Sequence, residues 1–356
     1  MVEGWAEHPG GRHHGAHGAV AARSLGLAEG DLLDFSQNIN PLGAPARALE
    51  AAQRALRGEA GRYPDGEYRD LREALASYLG VSPEEVLPTN GGAEALFLAA
   101  RCGPGRGKAL ILEPTFSEYA AAARAAGLEP LRRIARRPED GFRLDPGALE
   151  DLDGVGLVFL CNPNNPSGDA LGRAEVLEAA DHVLGAGATL VLDEAFADFV
   201  PGISAVAQTR ENLYVARSFT KFFGMPGLRL GCLVCPDPER ASRYQPSWPV
   251  NVVAAAAATA AVGDRSFVDS SVAEVKRLRE EQFEGLEAIS GLTPFPGQAN
   301  FLLVRGPEGL AGRLARRGIL VRGCGPFIGL GPEYLRLAVR GAEENRRMLA
   351  ALREEL

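Results

Sequence analysis

The chain has 356 residues, of which 46% are hydrophobic and 24% are charged, a balance typical of soluble globular proteins. This length predicts one large domain and a smaller one. The net charge of -8 argues against nucleic acid as a partner. Two arginine pairs, Arg132-Arg133 and Arg136-Arg137, are expected to form a solvated face.

Neither a membrane span nor a secretory leader is expected. The longest apolar stretch, residues 250–262, is mostly alanine and contains Asn251 and Thr259. A transmembrane helix needs about 20 apolar residues, so this stretch predicts a tightly packed helix instead. The N-terminus lacks a positively charged region followed by an apolar one, which predicts a cytoplasmic protein.

Residues 1–45 are predicted to form an arm rich in glycine and histidine, with one short helix at residues 16–25. The arm contains His8, His13, His14 and His17. Three interpretations stay open: a metal site, a segment that covers the substrate, or an unstructured leader. Because no carboxylate or cysteine lies between His8 and His17, we expect no metal there.

From residue 46 onward, apolar segments of strand length alternate with segments of helical pattern. The expected strands are residues 109–113, 155–161, 189–193, 213–217 and 230–235, and the helices between them include residues 93–102, 118–126 and 173–184. Near-continuous apolar strands that alternate with helices indicate an α/β fold with a parallel sheet covered on both faces. We assign residues 46–246 to this large domain.

Residues 247–356 are predicted to form a small α+β domain. Residues 246–249 contain two prolines and are expected to act as a hinge into a helix. A second helix is expected at residues 269–289, with short strands at residues 301–304 and 334–338.

The five cysteines are an odd number, spread thinly over the chain, which favours reduced, buried thiols over a disulfide framework. Cys232 and Cys235 have the spacing of a redox or zinc motif. They lie within an apolar strand-like segment and lack a second ligand pair, so we expect no metal site.

Lysine is rare in this chain: only Lys108, Lys221 and Lys276 are lysine among 38 basic residues. Arginine stays protonated, whereas a lysine can lose its proton and form a Schiff base. Lys221 follows an apolar run at residues 213–216, and its immediate neighbours are aromatic or small. It is therefore either a surface lysine on a loop or a reactive amine.

Polar residues follow the expected strands, and ligands of open α/β sheets gather at the carboxyl ends of strands. Asp193 ends an apolar strand, where a carboxylate needs a positive partner or caps the following helix. Residues 162–168 form a proline-flanked asparagine turn that can aim amide donors at a fixed point. Phe116 also follows a strand and either stacks on a flat ring or packs in the core.

The segment Gly91-Gly92-Ala93 precedes a helix, where small residues let backbone N–H groups approach an anion. A glycine turn before a helix is also a common structural feature. Ser218, Thr220 and Arg229 are candidates for further phosphate donors around Lys221.

Together these motifs resemble the fold-type I pyridoxal phosphate (PLP) enzymes, the aspartate aminotransferase group, in the family's order and over essentially the whole chain. The resemblance implies a large domain with a mostly parallel seven-stranded sheet and a small C-terminal domain. It also implies PLP as cofactor, bound as a Schiff base, and a homodimer with shared active sites.

The resemblance also implies roles for individual residues. Lys221 bonds to the cofactor, Asp193 pairs with the pyridine nitrogen, Asn165 donates to the ring hydroxyl and Phe116 stacks on the ring. Gly92, Ala93, Ser218, Thr220 and Arg229 surround the phosphate, together with Tyr63 from the neighbouring subunit. Arg336 binds the substrate's α-carboxylate, and Arg322 and His14 are assigned to the substrate's phosphate.

Within this family, residues 32–43 and Asp193-Glu194-Ala195-Phe196 are similar to the threonine-phosphate decarboxylases of cobalamin biosynthesis. Histidinol-phosphate aminotransferase is the near relative and usually has tyrosine where Phe196 stands. The similarity implies decarboxylation of L-threonine O-3-phosphate, with an aminotransferase as the alternative. The decarboxylases carry H-G-G-N where this chain has His14-Gly15-Ala16-His17, so the arm departs at two positions.

A non-catalytic regulator built on the same fold is the alternative of a different class. Such regulators carry a basic helix-turn-helix extension, and this chain has no room for one beside the family's domains.

Overall fold

The computed structural model describes residues 7–8, 12–13, 18–26, 28–208 and 210–356. Its helices are α1 Gly18–Leu25, α2 Ala46–Gly58, α3 Arg69–Leu79, α4 Gly92–Arg101, α5 Glu118–Ala125, α6 Arg173–Gly185, α7 Phe219–Phe222, α8 Pro238–Ser242, α9 Val252–Val262, α10 Arg265–Glu287, α11 Leu310–Arg316 and α12 Ala342–Glu355. Its strands are β1 Glu7–His8, β2 Arg12–His13, β3 Leu33–Asp34, β4 Val86–Thr89, β5 Lys108–Glu113, β6 Glu129–Ile134, β7 Val155–Cys161, β8 Thr189–Asp193, β9 Leu213–Ser218, β10 Gly231–Val234, β11 Thr293–Phe295, β12 Phe301–Arg305, β13 Ile319–Leu320, β14 Arg322–Gly323 and β15 Tyr334–Ala338.

A seven-stranded sheet forms the centre of the fold, in the order β4-β10-β9-β8-β7-β5-β6. Neighbouring strands from β9 to β6 pair in parallel, whereas β10 is antiparallel to both β4 and β9. The prediction of a mostly parallel seven-stranded sheet is confirmed. All five expected strands are present, and β4 and β6 are additional.

The edge strand β6 lacks the apolar run that marks the central strands, and none of its residues is fully buried. Its charged side chains, among them Arg132, lie at this edge. The expectation of a solvated face is nevertheless wrong for Arg136, which is fully buried just beyond the strand. Its Nη1 donates to the Leu112 carbonyl at 3.3 Å, and its Nε lies 3.8 Å from Oδ2 of Asp169.

Apolar side chains cover both faces of the sheet. Helices α4 and α5 contribute to the core on one face, whereas α3, α6 and α9 contribute to the other. The alanine-rich stretch at residues 250–262 is a packed helix, as predicted, because α9 lies against α2. Small side chains on both helices, such as Ala48 and Ala257, permit a short distance between the helix axes.

The C-terminal part of the chain has its own antiparallel sheet, β11-β12-β15-β14, and a core shared with α10, α11 and α12. Strand β3 pairs in parallel with β13, so the segment before α2 joins this part of the fold. The limits 1–45, 46–246 and 247–356 stay predictions. Among the described helices, none is long and apolar enough to cross a membrane.

Gly231 lies where β10 passes close to both β9 and the turn that begins α4. A Cβ atom there would fall 2.5 Å from the Arg217 carbonyl oxygen and 2.6 Å from the carbonyl carbon of Gly91. Both neighbours are backbone atoms held by the sheet, so they cannot move aside. Glycine is required at this position because the backbones approach so closely.

We expect Gly231→Ala to lower the free energy of unfolding by about 2 kcal/mol, through overpacking against two backbone segments. Urea unfolding measures this change. Gly58→Ala is the matched control, because Gly58 ends α2 and a Cβ there would meet nothing within 4 Å. The control should leave stability unchanged or raise it slightly. Equal losses in the two variants would contradict the steric explanation.

Candidate active site

The carboxyl ends of four adjacent parallel strands, β5, β7, β8 and β9, meet at one edge of the sheet. The candidate residues follow these strand ends directly. Phe116 comes after β5, Asn165 after β7, Asp193 ends β8, and Lys221 lies in the helix after β9. The sheet therefore brings residues that are far apart in sequence to one place.

Lys221 lies in the single-turn helix α7, with its side chain half-buried. Burial lowers the pKa of its amine to about 8, and the nearby Arg229 and Arg336 cations act in the same direction, while Asp193 opposes them. Its Nζ lies 5.8 Å from the ring centroid of Phe196. An amine with this pKa is partly unprotonated near neutral pH, as a nucleophile requires.

Asp193 is buried, and its carboxylate is held from two sides. The Tyr119 hydroxyl donates to Oδ2 at 2.7 Å, and the Ala195 backbone N–H donates to Oδ1 at 3.0 Å. Burial raises the pKa of Asp193, while these two hydrogen bonds and the charge of Lys221 lower it. Tyr119 is itself fixed, because its ring stacks on Phe159 with the centroids 4.9 Å apart.

Arg336 connects the turn after β7 with the segment after β3. Its Nη1 donates to Oδ1 of Asn165 at 2.5 Å, and its Nη2 donates to the Ser36 carbonyl at 2.9 Å. Among the described residues it has no carboxylate partner within ion-pair distance, and its buried Nε has no hydrogen-bond acceptor. Burial, together with a smaller effect of the nearby Arg322, lowers the pKa of Arg336 to about 10.

Arg322 faces Arg336 across the antiparallel pair β14–β15. It is also buried, its guanidinium lies 5.6 Å from the ring centroid of Phe327, and burial lowers its pKa. Two buried guanidinium groups side by side repel each other. An anionic ligand with two charged groups would relieve this repulsion, and bidentate geometry favours arginine for carboxylate and phosphate.

Gly91, Gly92, Ser218, Thr220 and Arg229 converge at the start of α4. Gly91 has φ 81°, and a Cβ there would fall 2.6 Å from Nη2 of Arg229. A Cβ on Gly92 would fall 3.0 Å from Cβ of Ser218, whose hydroxyl lies 2.9 Å from that of Thr220. Ala93 follows in the first helical turn. The N-terminal end of a helix, two hydroxyls and a cation in one cluster suit a phosphate group.

Of the three remaining candidates, two have aromatic neighbours and one lies outside the described residues. Phe116 is half-buried and meets Tyr119 edge to face, with the centroids 5.8 Å apart. The Tyr63 side chain is 79% exposed and stacks on Trp248, with a centroid distance of 4.4 Å. His14 lies outside the described residues.

All five cysteines are buried and free, as predicted.

A buried ionic network supports the ends of β8 and β9. Arg217, one residue before Ser218, donates to Oε2 of Glu194 at 2.7 Å and to Asp198. The Ala205 backbone N–H and the Ser204 hydroxyl also donate to Glu194, at 2.7 and 2.5 Å. Glu194, which follows Asp193, is thus bound to Arg217, which precedes Ser218.

The residue-based reasoning missed Tyr119 and Asn40. Tyr119 lies in the first turn of α5, the helix that follows β5, and this places it near the carboxyl ends of the strands. Asn40 belongs to the segment 32–43, which served only as a family signature. Its backbone N–H donates to the Lys221 carbonyl at 3.0 Å.

Comparison with known proteins identifies the family of this site. The model of the family "Aminotransferase class I and II" matches residues 25–352. The chain belongs to this family. Its cofactor is pyridoxal phosphate.

Two curated relatives and one solved structure show the range of the similarity. Threonine-phosphate decarboxylase of Salmonella typhimurium is 38% identical over 96% of each chain. Histidinol-phosphate aminotransferase of Halalkalibacterium halodurans is 34% identical, over 94% of this chain and 91% of that protein. The structure of histidinol-phosphate aminotransferase from Clostridium acetobutylicum has a TM-score of 0.84 at 29% identity, covering 91% of this chain and 99% of that one.

The side chains at this site are suited to bind pyridoxal phosphate. The absence of a side chain at Gly91 lets the Arg229 guanidinium approach the start of α4, since a Cβ there would fall 2.6 Å from its Nη2. Lys221 offers an amine of lowered pKa, and Asp193 offers a fixed carboxylate on the neighbouring strand. The family assignment and the local chemistry therefore agree.

The titration of Lys221 can be measured directly, because the chain has only three lysines. After reductive methylation of the cofactor-free protein with labelled carbon, we expect one dimethyl-lysine NMR signal with a midpoint near pH 8. This signal should be absent from Lys221→Met. Lys108, Lys276 and the N-terminal amine provide the other signals; the N-terminal amine also titrates at about pH 8, so the loss of a signal in Lys221→Met is what assigns it. A titration of the assigned Lys221 signal near the usual lysine value of about 10.4 would contradict the lowered pKa.

The lowered pKa of Lys221 should also make the free energy of unfolding depend on pH. Between pH 8 and 10.5 the folded protein binds fewer protons at Lys221 than the unfolded chain. Stability should therefore rise with pH across this window in the wild-type cofactor-free protein, relative to Lys221→Met.

Proposed function

We propose that this enzyme decarboxylates L-threonine O-3-phosphate to (R)-1-aminopropan-2-yl phosphate in cobalamin biosynthesis. The observation that carries the proposal is the position of Phe196. Its ring is 5% exposed and is the aromatic group 5.8 Å from the Lys221 amine, where histidinol-phosphate aminotransferases usually have tyrosine. Phenylalanine has no hydroxyl to donate at that point.

Two further observations support the decarboxylase. Residues 32–43, which are similar to those of the decarboxylases, contribute directly to the site through the Ser36 carbonyl and Asn40. The relative that is 38% identical over 96% of the chain is also a threonine-phosphate decarboxylase.

The cofactor-binding roles proposed here follow the family resemblance, and each suits the chemistry of its residue. When bound, the cofactor supplies an electron sink for the bonds at the substrate's Cα. The Lys221 amine would hold it covalently, and the Asp193 carboxylate would pair with its ring nitrogen. The Asn165 side chain would donate to its ring hydroxyl, and the Phe116 ring would support its flat ring. The cradle formed by Gly92, Ala93, Ser218, Thr220 and Arg229 holds its phosphate.

The two buried arginines select and orient the substrate. Arg336 binds the α-carboxylate, and Arg322, together with His14 from the arm, binds the substrate's phosphate. Fixing both ends of a short molecule would determine which bond at Cα is aligned to break. For decarboxylation, that bond would be the one between Cα and the carboxylate. With a pKa of about 8, Lys221 Nζ can then deliver the proton that replaces the carboxylate.

An aminotransferase remains the second candidate, because a histidinol-phosphate aminotransferase is 34% identical over 94% of the chain. In that reaction the Cα–H bond would be the one aligned to break, and Lys221 Nζ would accept its proton. The same residues serve both reactions, so the orientation of the substrate decides between them.

Incubation with L-threonine O-3-phosphate should release CO2 in equal amount to the amine phosphate formed. Incubation with histidinol phosphate and 2-oxoglutarate should form no glutamate. Lys221→Ala should lower the rate by roughly 10³-fold or more. Glutamate formation without CO2 release would overturn the decarboxylase in favour of the aminotransferase.

We also propose that the enzyme is a homodimer in which Tyr63 reaches the cofactor phosphate bound by the other subunit. Tyr63 and Trp248 form a stacked aromatic pair with both side chains exposed in the single chain. Exposed apolar groups of this kind mark interaction surfaces. A hydroxyl at the tip of the pair is suited to bind a phosphate.

Mixing two defective variants tests the shared site. Subunits carrying Lys221→Ala and subunits carrying Tyr63→Ala should regain activity together after mixed refolding, because one of the two sites in a heterodimer is then complete. Each variant refolded without the other is the control. Absence of any gain, with dimers present by sedimentation, would contradict a shared site.

A further inference from the structure

Asn40 is the most extensively hydrogen-bonded residue of the segment that leads from β3 to α2. Its side chain is 2% exposed. Its Nδ2 donates to the Phe222 carbonyl at 2.7 Å and to the Ser271 hydroxyl at 2.8 Å, and its Oδ1 accepts from the Leu42 N–H at 3.0 Å. Both ends of the amide are therefore used.

The backbone of Asn40 extends these contacts to Lys221. Its N–H donates to the Lys221 carbonyl at 3.0 Å, so one residue binds the carbonyls of both Lys221 and Phe222. Helix α7 has only four residues, and the last carbonyls of a helix lack partners within it. A single turn is not stable alone, so its position depends on such external contacts.

The chain just beyond Asn40 also packs tightly against the end of α7. Gly224 has φ 61°, and a Cβ there would fall 2.4 Å from the carbonyl carbon of Gly43. The segment 40–43 and the loop after Lys221 are therefore in backbone contact. This contact leaves α7 little freedom to shift.

The segment between β3 and α2 also contacts Arg336. Four residues before Asn40, the Ser36 carbonyl accepts from Nη2 of Arg336. Ser36 is positioned by Asp34, whose Oδ1 accepts from the Ser36 N–H at 2.8 Å. Residues 36–43 thus contact both α7, the helix that contains Lys221, and the Arg336 guanidinium.

We propose that Asn40 is a positioning residue that sets where the Lys221 amine points relative to Arg336. It acts by fixing the carbonyl end of α7 while Ser36, in the same segment, fixes the guanidinium. The inference rests on the proposed role of Lys221 as the residue that bonds to the cofactor. Loss of the Asn40 amide should misplace Nζ without removing any group that touches the cofactor.

Asn212 provides a matched control in the same domain. It is also buried, and its Nδ2 also donates to two acceptors, the Ala180 and Ala188 carbonyls at 3.0 and 3.2 Å. It precedes β9 at the opposite end from Lys221. Asn212→Ala therefore removes a similar buried amide without touching α7.

The test compares Asn40→Ala with Asn212→Ala in the full chain. Cofactor-free protein is mixed with pyridoxal phosphate, samples are trapped with borohydride over time, and labelling of the peptide containing Lys221 is measured by mass spectrometry. We expect Asn40→Ala to label roughly tenfold more slowly than wild type, because small misplacements of a reacting group have large effects on rate. Asn212→Ala should label at the wild-type rate, with a comparable loss of stability in urea.

Equal labelling rates for the two alanine variants would overturn the inference, since Asn40 would then matter only for stability. If Asn40→Ala does not fold, Ser271→Ala decides, because it removes one of the two acceptors of Nδ2. A roughly threefold slower labelling supports the proposal, and an unchanged rate overturns it. Absence of label at Lys221 in the wild-type protein would instead refute the proposed function itself.

Discussion

The site depends on one constraint: an amine held among two cations and one carboxylate, away from most of the solvent. Burial and the charges of Arg229 and Arg336 lower the pKa of Lys221, while Asp193 opposes them. A lysine in water would be almost fully protonated at neutral pH. The reactivity of this amine is therefore a property of its surroundings, and the fold must hold those surroundings in place.

Buried ionic contacts provide much of that support. The Arg217, Glu194 and Asp198 network ties the ends of β8 and β9, and Arg136 lies beside Asp169 behind the asparagine turn. Buried ion pairs add little net stability because desolvation offsets their attraction. Removing one partner is costly, however, so such pairs favour a single arrangement. We infer that they fix strand ends more than they stabilise the fold.

The segment between β3 and α2 unites the two parts of the molecule. At one end β3 pairs with β13, and at the other Asn40 holds the helix of Lys221. Between them, the Ser36 carbonyl accepts from Arg336, which itself contacts Asn165. Three regions distant in sequence thus meet through one guanidinium. Arg322, buried next to Arg336, adds a second guanidinium group of the kind that binds carboxylate or phosphate.

The sequence by itself determined the central strands and the polar residues at their ends. Apolar runs are local signals, and the carboxyl ends of parallel strands share one edge, so Asp193, Asn165 and Lys221 could be placed together. The scarcity of lysine marked the amine without any structural knowledge.

Only the tertiary structure decided which charges are buried and which small residues hold the site. Arg136 has the local sequence of a solvated arginine and is buried because distant segments cover it. The antiparallel β10, the Tyr119 bond to Asp193 and the Asn40 bond to Lys221 all join residues from separate parts of the chain. Burial and hydrogen bonding depend on those partners, and no local pattern records them.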